Sequence, residues 1–338
     1  MATTTRISDV ATAAGVSVGT VSNVLNRPHL VAPLTRDRVT AAIETLGFVR
    51  NESARQLRSG SSRAIGLVVI DAANPFFADV ARGVEDCVDD VGGVVLLGNS
   101  GGEESRERRY LELFEEQRVR GVLIAPLTDA APPLGALARL GIPVVFLDRH
   151  AEDLQHSSVS VDDVAGGRNA TEHLIAQGHR RVAFVGGPST LRQVRERREG
   201  AEAVVVGIPG ASLLVISTRG LTVAAGRQAA DDLVSMPPEL RPSAVFTAND
   251  LIAIGLLQGL LTHGLGVPRD VAIVGYDDIE FAAAAAVPLS SVRQPRVELG
   301  RRGAELLFEE LDDLEAGRAV EHQHIRFQPE LVVRASSA

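Results

Sequence analysis

The sequence predicts an α/β protein in two parts: a small N-terminal helix-turn-helix head with a hinge helix, followed by a larger two-lobed body with parallel sheets. Two observations support this division. The first 58 residues contain short amphipathic helical segments separated by a sharp turn, and from residue 63 onward apolar runs alternate with stretches of helical length. A chain of 338 residues is long enough for two or three domains, each with its own core. We therefore expect the head, hinge and linker at residues 1–62 and the body at residues 63–338.

The head begins with a helix-turn-helix pattern. Val10 and Ala11 in the first helix are spaced to pack on Val21 in the second, and Gly15 lies where the chain must turn. Ser17 is placed to cap the second helix with its hydroxyl. The outward positions of that helix are small or hydrogen-bonding residues, which suit a DNA major groove, and they are Val18, Gly19, Thr20, Ser22, Asn23 and Asn26. An ordinary helical hairpin within a core is the alternative explanation.

The rest of the head is predicted to be helical up to a linker. A third helix is expected at residues 36–46, with Thr35 as its cap and Gly47 at its end. Residues 51–58 are compatible with a hinge helix that is too short to be stable alone. The sequence Ser59-Gly60-Ser61-Ser62 then predicts a flexible linker at the domain boundary.

Charge is distributed unevenly along the chain. Residues 1–64 hold eight arginines against four acidic residues, a charge of +4, whereas the remainder carries −13 and the whole chain −9. A basic head on an acidic body is typical of a protein that binds DNA through its head.

Composition excludes several classes of protein. All 34 basic residues are arginine, so mechanisms that need a lysine in a phosphate-binding loop or a Schiff base are excluded. The single cysteine, Cys87, excludes an internal disulfide and a cysteine-based zinc site, and it suits a reducing compartment. The N-terminus shows no apolar stretch behind a basic flank, and no apolar run approaches the length of a membrane span. We expect a cytoplasmic protein, associated with the nucleoid when bound to DNA, with no cofactor, no metal site and no catalytic residues.

The body is predicted to alternate strands and helices. Its continuous runs of valine, isoleucine and leucine indicate parallel strands covered on both faces. The runs are 65–70, 94–97, 122–125, 144–147, 182–185, 213–216, 244–246 and 271–274, and the helical stretches between them include 76–91, 103–117, 165–177 and 251–263. These units are too many for one compact sheet, so we expect two similar lobes that face a cleft. The first lobe should span about residues 64–161 and the second about 162–290, and a segment near 288–301 should cross back to the first.

Taken in order, these residues resemble the LacI/GalR (lactose-repressor/galactose-repressor) family over essentially the whole chain. The segments that carry the resemblance are Asp9-Val10-Ala11, Gly15-Val16-Ser17, Thr20-Val21-Ser22, Leu25-Asn26, the hinge residues Asn51, Ala54 and Leu57, and in the body Asn74-Pro75-Phe76-Phe77, Gly178-His179-Arg180, Gly186-Gly187-Pro188, Asn249-Asp250 and Gly275-Tyr276-Asp277-Asp278. Each segment alone is modest evidence, but their order and spacing together are specific. The resemblance implies that the body has the fold of periplasmic binding proteins.

The resemblance also implies a homodimer that binds a near-palindromic operator in double-stranded DNA. By position, Val18, Gly19 and Asn23 would face base edges, while Ser17, Thr20, Ser22 and Asn26 would mostly contact phosphates. The hinge residues 51–57 would fold on the operator and lie in its central minor groove. There Leu57 would wedge between base pairs, and Ala54 and Arg58 would lie along the groove.

For the body, the resemblance implies a cleft that binds a small-molecule effector, most similar to the ribose-type subgroup. The implied effector-binding residues are Asn74, Phe76, Phe77, Asp148, Arg149, Arg197, Asn249, Asp277 and Gln294. Aromatic faces and charged side chains of this kind suit the apolar side and the hydroxyls of a sugar. One departure is Leu221, which stands where relatives usually carry an aromatic residue, so a different sugar or a nucleoside-like ligand stays open.

We expect a repressor that a small sugar or sugar derivative releases from its operator. A regulator that uses a nucleoside or purine as corepressor is the first alternative. Two alternatives come from other classes: a pure ligand-binding module, and a hydrolase that uses Ser100, since residues 98–102 match the G-x-S-x-G pattern and His150, His156, His173 or His179 could act as the base.

Overall fold

The computed structural model describes residues 5–48, 62–128, 134–150 and 155–338. The chain divides into two compact units, residues 1–61 and residues 62–338. No helix within the described ranges is long and apolar enough to cross a membrane. The predicted hinge helix at residues 51–58, with Ala54, Leu57 and Arg58, lies outside the described residues.

The head is a bundle of three α-helices with a short 3₁₀ turn at Pro28–Leu30. The helices are α1 (Ile7–Ala14), α2 (Val18–Asn26) and α3 (Pro33–Leu46). Their core is small and aliphatic, since Val10, Val21 and Val39 are fully buried at its centre. Gly15 ends α1 with a φ of 65°, a left-handed conformation that glycine adopts without steric cost.

The start of α3 differs from the sequence prediction. The helix begins at Pro33 rather than Arg36, and Thr35 lies inside it instead of capping it. Proline suits the first helical position because its φ is already helical and that position needs no amide donor. The end of the helix at Gly47, with a φ of 59°, is as expected.

The body contains two six-stranded sheets within its described residues. The first sheet has the strand order β11-β5-β4-β3-β1-β2, and all of its pairings are parallel. Its strands are β1 (Ala64–Val69), β2 (Val94–Asn99), β3 (Gly121–Ile124), β4 (Val144–Leu147), β5 (Ser158–Val161) and β11 (His324–Phe327).

The second sheet has the order β12-β10-β9-β8-β6-β7, and it is parallel except for the pair of β10 with β12. Its strands are β6 (Arg181–Gly186), β7 (Ser212–Ser217), β8 (Ala244–Thr247), β9 (Ala272–Asp277), β10 (Ser290–Arg293) and β12 (Glu330–Val332). The two sheets have matching strand orders, so the body is built from two similar halves.

Helices connect and cover the strands. They are α4 (Pro75–Asp90), α5 (Glu104–Glu116), α6 (Gly135–Arg139), α7 (Asp163–Ala176), α8 (Arg192–Val206), α9 (Val223–Val234), α10 (Asp250–Thr262), α11 (Glu280–Ala283) and α12 (Arg296–Glu315). Six of them form three closely packed pairs with glycines at the contacts: α4 with α12, α7 with α8, and α9 with α10.

The chain passes between the two sheets three times. It leaves the first sheet after β5, returns after β10 through α12, and crosses again between β11 and β12. One continuous cluster of buried residues extends through both sheets, from Ile65 in β1 to Val292 in β10. The two lobes therefore share one continuous hydrophobic core.

Four strands have no counterpart among the predicted apolar runs, namely β5, β10, β11 and β12. In β5, Ser158 and Ser160 alternate with valines, yet the whole strand is buried. Their hydroxyls are satisfied across the strand pair, since Ser158 Oγ lies 3.0 Å from Nδ1 of His324 and Ser160 Oγ lies 3.5 Å from the carbonyl of Ile325. Hydrogen bonding between strands thus permits burial that hydropathy alone does not predict.

Candidate functional site

The face of α2 that the sequence assigns to DNA is open to solvent within the head. Ser17, Val18, Gly19, Asn23 and Asn26 are exposed, and Val18 retains 40% of its accessible surface. Thr20 and Ser22 are half-buried beside them. An exposed valine on a small head is available for contact with an apolar group such as a thymine methyl.

Hydrogen bonds within this face distinguish its polar residues. Ser17 Oγ accepts from the amide of Thr20 at 3.1 Å and lies 3.0 Å from its hydroxyl. Asn26 donates to the carbonyl of Ser22 at 2.8 Å. Within the described residues the side chain of Asn23 has no hydrogen-bond partner, so both ends of its amide remain free for another molecule.

In the body, polar residues collect where strands of both sheets end. Asp148 follows β4, Asp277 is the last residue of β9, and Gln294 follows β10. The carboxyl ends of parallel strands are where open α/β sheets bind ligands. We call Asp148, Asp163, Arg197, Asp277 and Gln294 the carboxyl-edge cluster.

Arg197 is the centre of this cluster. It projects from α8 and is 3% exposed. Its Nε donates to Oδ1 of Asp163 at 2.8 Å, and its Nη1 donates to the carbonyl of Ala248 at 2.7 Å. The guanidinium carbon lies 3.8 Å from the ring centroid of Tyr276, a cation–π contact. Although burial acts to lower the pKa of Arg197, Asp163 and the other surrounding charges raise it, so the guanidinium stays charged.

Asp277 lies on the other side of the guanidinium. Its Oδ1 is 3.8 Å from Nη1 of Arg197 and accepts from Nε2 of Gln294 at 2.8 Å. Burial raises the pKa of Asp277 from 3.8 to about 6, against the lowering effect of Arg197. Arg296 holds the backbone of this segment, since its Nη1 donates to the carbonyls of Asp277 and Asp278.

Two of the clustered carboxylates have an unusual backbone. Asp148 has a φ of 54° and Asp277 a φ of 101°, in the left-handed region that side chains rarely adopt. The backbone of each residue therefore carries conformational strain at a point where a carboxylate is aimed into the cluster. Strain of this kind is typical of functional sites, where the surrounding structure maintains it.

Asp148 joins the cluster from the first sheet. Burial raises its pKa well above 3.8, and the nearby charges of Asp163, Arg197 and Asp277 also act on it. Its Oδ1 is shielded from solvent and has no hydrogen-bond partner in the described part of the chain. The structure therefore brings together one predicted residue from the first half of the body and three from the second.

The other predicted effector residues have contacts of their own. Asn74 and Asn249 act as helix caps, since Asn74 accepts from the amide of Phe76 at 3.0 Å and Asn249 accepts from Ile252 at 3.1 Å. Phe76 and Phe77 are 3% and 5% exposed and pack edge to face with their ring centroids 4.9 Å apart.

Two further residues bear on the predicted cleft. The guanidinium of Arg149 lies 5.1 Å from the ring centroid of Phe146. Asn249 also donates to the carbonyl of Leu221 at 3.2 Å. The backbone of Leu221, the position at which relatives usually carry an aromatic residue, is therefore hydrogen-bonded to the residue that caps α10. The effector assignments of Asn74, Phe76, Phe77, Arg149 and Asn249 stay predictions.

Sequence reasoning missed Asp163, which is 3% exposed and makes the shortest ion pair of Arg197. A signal was present in the doublet Asp162-Asp163 at the start of α7. Only Asp162 is needed to cap the helix, and its Oδ1 accepts from the amide of Ala165 at 2.9 Å. Helix capping therefore explains Asp162 but does not explain Asp163.

Ser100 and two of the histidines considered for hydrolysis have other partners in the structure. Ser100 is fully buried, and its hydroxyl donates to the carbonyl of Val69 at 3.2 Å. His173 is bonded to Ser337 and His179 to Ser243, so neither histidine is paired with Ser100. Among the described residues no group of three or more histidine, cysteine or acidic side chains is arranged to hold a metal ion.

Comparison with known proteins completes these observations. The protein-family model described as bacterial regulatory proteins, lacI family, matches residues 6–51 of this chain. The family model described as periplasmic binding protein-like domain matches residues 171–337. The HTH-type transcriptional repressor PurR of Aliivibrio fischeri is 32% identical over 336 residues, which cover 98% of this chain and 97% of the relative. The ribose operon repressor of Escherichia coli K12 is 33% identical over 98% of this chain and 99% of its own length. A crystal structure of the lac repressor dimer bound to operator and the anti-inducer ONPF is 27% identical, covers 98% and 99% of the two chains, and has a TM-score of 0.81.

Proposed function

Since this chain belongs to the LacI family of bacterial regulatory proteins and is a DNA-binding transcriptional regulator rather than an enzyme, we propose that it is a repressor which a small sugar or sugar derivative releases from its operator. The observation that carries the effector part is the carboxyl-edge cluster. It combines one buried guanidinium, buried carboxylates and an amide at the ends of strands from both sheets. Charged groups that hydrogen-bond vicinal hydroxyls are well suited to hold a polar sugar away from water.

For the head, we propose that α2 enters the major groove and that Asn23 reads a base edge. Its free amide suits a bidentate contact with adenine, worth roughly 1–3 kcal/mol of discrimination. Val18 and Gly19 would face bases beside it, and Ser17, Thr20, Ser22 and Asn26 would contact phosphates. The hinge residues Ala54, Leu57 and Arg58 keep the minor-groove roles that the family resemblance implies.

We propose a homodimer on a near-palindromic operator. In the body, β2 is an edge strand of the first sheet, and Val94, Leu96 and Leu97 on it remain exposed at 50%, 37% and 48%. An apolar edge strand tends to pair or be covered. The similar lac repressor structure is described as a dimer on its operator, which agrees with a second copy as the cover.

The regulation follows from linkage between two sites. An effector that contacts Asp148, which follows β4 of the first sheet, and Arg197, which lies on α8 beside the second sheet, favours one arrangement of the lobes. If operator DNA favours another arrangement, the two ligands compete for the state of the whole protein. Coupling of 1–3 kcal/mol, typical of such systems, changes operator affinity roughly 5–150-fold.

The test uses the full chain. An operator is first selected from random double-stranded DNA, and its affinity is then measured by fluorescence anisotropy at fixed salt with pentoses, hexoses, disaccharides, nucleosides and purines. We expect a near-palindromic site and a sugar that weakens binding to it. Gln294→Leu should abolish the sugar response and leave operator affinity unchanged. Asn23→Ala should weaken the selected site about tenfold or more, whereas Asn26→Ala, on the same helix, is the matched control for loss of a phosphate contact.

The alternative outcomes are distinct. A purine or nucleoside that strengthens operator binding would replace the sugar proposal with corepression, and the Leu221 departure would then have indicated the ligand class. Loss of the sugar response in Asn26→Ala but not in Gln294→Leu would contradict the assignment of the effector site.

A further inference from the structure

Arg296 contacts both halves of the body through one guanidinium. It is the first residue of α12, the helix that returns the chain to the first sheet. Its Nη1 donates to the main-chain carbonyls of Asp277 and Asp278, where β9 of the second sheet ends. Its Nε donates to Oδ2 of Asp79 on α4 at 2.8 Å, and α4 packs on the first sheet. Arg296 therefore bridges the end of β9 and α4.

The end of β9 is held from two sides. The side chain of Asp277 belongs to the carboxyl-edge cluster, where its Oδ1 lies 3.8 Å from Nη1 of Arg197. Its main chain has a φ of 101° and is followed by Asp278 with a φ of 52°, so both residues adopt left-handed conformations. Arg296 binds the carbonyl groups of these same two residues. A shift of Asp277 within the cluster is therefore felt directly by the guanidinium of Arg296.

Asp79 fixes the orientation of that guanidinium. The side chains of Arg296 and Asp79 retain only 17% and 27% of their accessible surface, so their ion pair is partly shielded from water. A charge-assisted hydrogen bond of this kind is stronger than one between neutral groups. Arg82 is also near Asp79, but it lies 3.7 Å away and its side chain is 64% exposed, which makes it a weak surface partner.

The helices α4 and α12 are in backbone contact. A Cβ on Gly83 of α4 would lie 2.0 Å from the carbonyl oxygen of Val297, and a Cβ on Gly300 of α12 would lie 2.0 Å from that of Val80. Closely packed interiors transmit displacement because they contain little free volume to absorb it. The first turn of α12, which carries Arg296, therefore moves together with α4.

The other end of α4 lies beside the start of the body. The helix has 16 residues and is about 24 Å long. The carbonyl of Val88, in its last turn, accepts from the amide of Gly93 at 2.9 Å, and the next amide, that of Val94, donates to the carbonyl of Arg63 at 3.0 Å. Arg63 is the second residue of the body and directly precedes β1. Thus α4 extends from the contact with Arg296 to the point where the chain enters the body from the head.

We propose that Arg296, held in place by Asp79, is the positioning residue that connects the carboxyl-edge cluster to operator affinity. A shift of Asp277 displaces Arg296, the paired helices α12 and α4 follow, and the start of the body moves with the end of α4. The inference rests on the proposed function in taking the cluster as the effector site. It goes beyond that function because it names the residues that transmit the state of the site, whichever molecule binds there.

The test measures operator affinity without any added sugar, because coupling is demonstrated by an energetic effect and not by proximity. The full chain is titrated on an operator selected from random double-stranded DNA, by fluorescence anisotropy at fixed salt. Arg296→Gln removes the charge that bridges the halves, and Asp79→Asn removes the partner that orients it. Each should change the operator Kd at least about fivefold and in the same direction. The double variant should match the single variants, since both break one contact, whereas independent effects would multiply.

Arg326→Gln is the matched control. Arg326 on β11 pairs with Asp162 at 2.9 Å, and the two side chains are 41% and 21% exposed. Asp162 directly follows β5, which is the neighbouring strand of β11, so this ion pair stays at one edge of the first sheet. Its loss should leave the operator Kd within about twofold of the parent value. Urea unfolding verifies that each variant is folded, and Asp79→Asn alone decides the test if Arg296→Gln does not fold.

Three results would overturn the inference. The first is an operator Kd within twofold of the parent value in Asp79→Asn, and the second is a double variant whose change is the product of the two single changes. The third is an equal change in Arg326→Gln, which would show that any lost ion pair has the same effect. Because no sugar is present, a failure of the sugar assignment leaves these results unaffected, and a sugar response in the parent does not substitute for them.

Discussion

Asp277→Asn should make the stability of this protein less dependent on pH. Burial raises the pKa of Asp277 from 3.8 to about 6 in the folded protein, so the folded state favours the protonated acid. A rise of this size corresponds to roughly 3 kcal/mol, at about 1.4 kcal/mol for each pKa unit. The contribution is fully present below pH 3.8 and is lost as the pH rises through about 6. Asparagine resembles the protonated acid and does not titrate, so the variant avoids this loss.

The assay is urea unfolding followed by circular dichroism at pH 4.5, 6, 7 and 8, at one protein concentration because association changes apparent stability. The free energy of unfolding of Asp277→Asn minus that of the parent should increase by ~2 kcal/mol over this range, because part of the full ~3 kcal/mol is already lost at pH 4.5, above the unfolded pKa of 3.8. The exposed Asp232 on α9 provides a control, and Asp232→Asn should give a difference that barely changes with pH. A difference for Asp277→Asn that is constant from pH 4.5 to pH 8 would refute the reasoning.

Three further substitutions test local contacts. Gly83→Ala should destabilise the body by roughly 1–3 kcal/mol or more in urea unfolding, because a Cβ there would lie 2.0 Å from the carbonyl oxygen of Val297. Gly135→Ala should be neutral or stabilising, because a Cβ at this helical position would make only an ordinary contact, 3.7 Å from Nη1 of Arg139. Equal effects of the two substitutions would contradict the packing argument. Asn249→Ala should lower the free energy of unfolding by about 1–2 kcal/mol, because it removes the cap of α10. Asn249→Asp should recover most of that free energy if the cap is the cause. Ser17→Ala should speed hydrogen exchange of the α2 amides about fivefold, the effect of a lost cap of about 1 kcal/mol, while Ser17→Asp should restore the parent rate.

The head and most of the sheets could be predicted because their signals are local. The left-handed turn at Gly15 and the cap at Ser17 depend on residues within a few positions of each other. Six of the eight predicted apolar runs correspond to strands that are buried almost throughout, as continuous hydrophobic sequence indicates. The other two, β2 and β7, are edge strands that stay largely exposed, so the prediction that they are covered on both faces is wrong in this structure. The beginning of α3 was misplaced because Thr35 is a good cap by type, but Pro33 fixes the backbone earlier.

The late strands of the body could not be predicted in the same way, because their stability comes from residues distant in sequence. β11 pairs with β5 across more than 160 residues, and the hydroxyl of Ser158 reaches His324 in that pair. The alternation Ser-Val-Ser-Val of β5 is a short period-2 signal that indicates at most a half-buried strand, whereas the strand is buried on both faces. Its burial becomes evident only once the partner strand is in place.

The candidate site shows the same limit at the level of charge. Family resemblance indicates Arg197 and Asp277 by position, but the number of acids around the guanidinium depends on where the strands of both sheets end. Asp163 comes from the start of α7 and Asp148 from the end of β4, and only the fold brings them to one arginine. Asp148 and Asp277 also adopt positive φ values, which aspartate tolerates better than most residues but which the sequence does not assign to these two positions. Strain and burial of acidic groups at the same residues are costs to stability that a folded chain retains where a ligand relieves them, so these positions are the ones at which ligand specificity is expected to be decided.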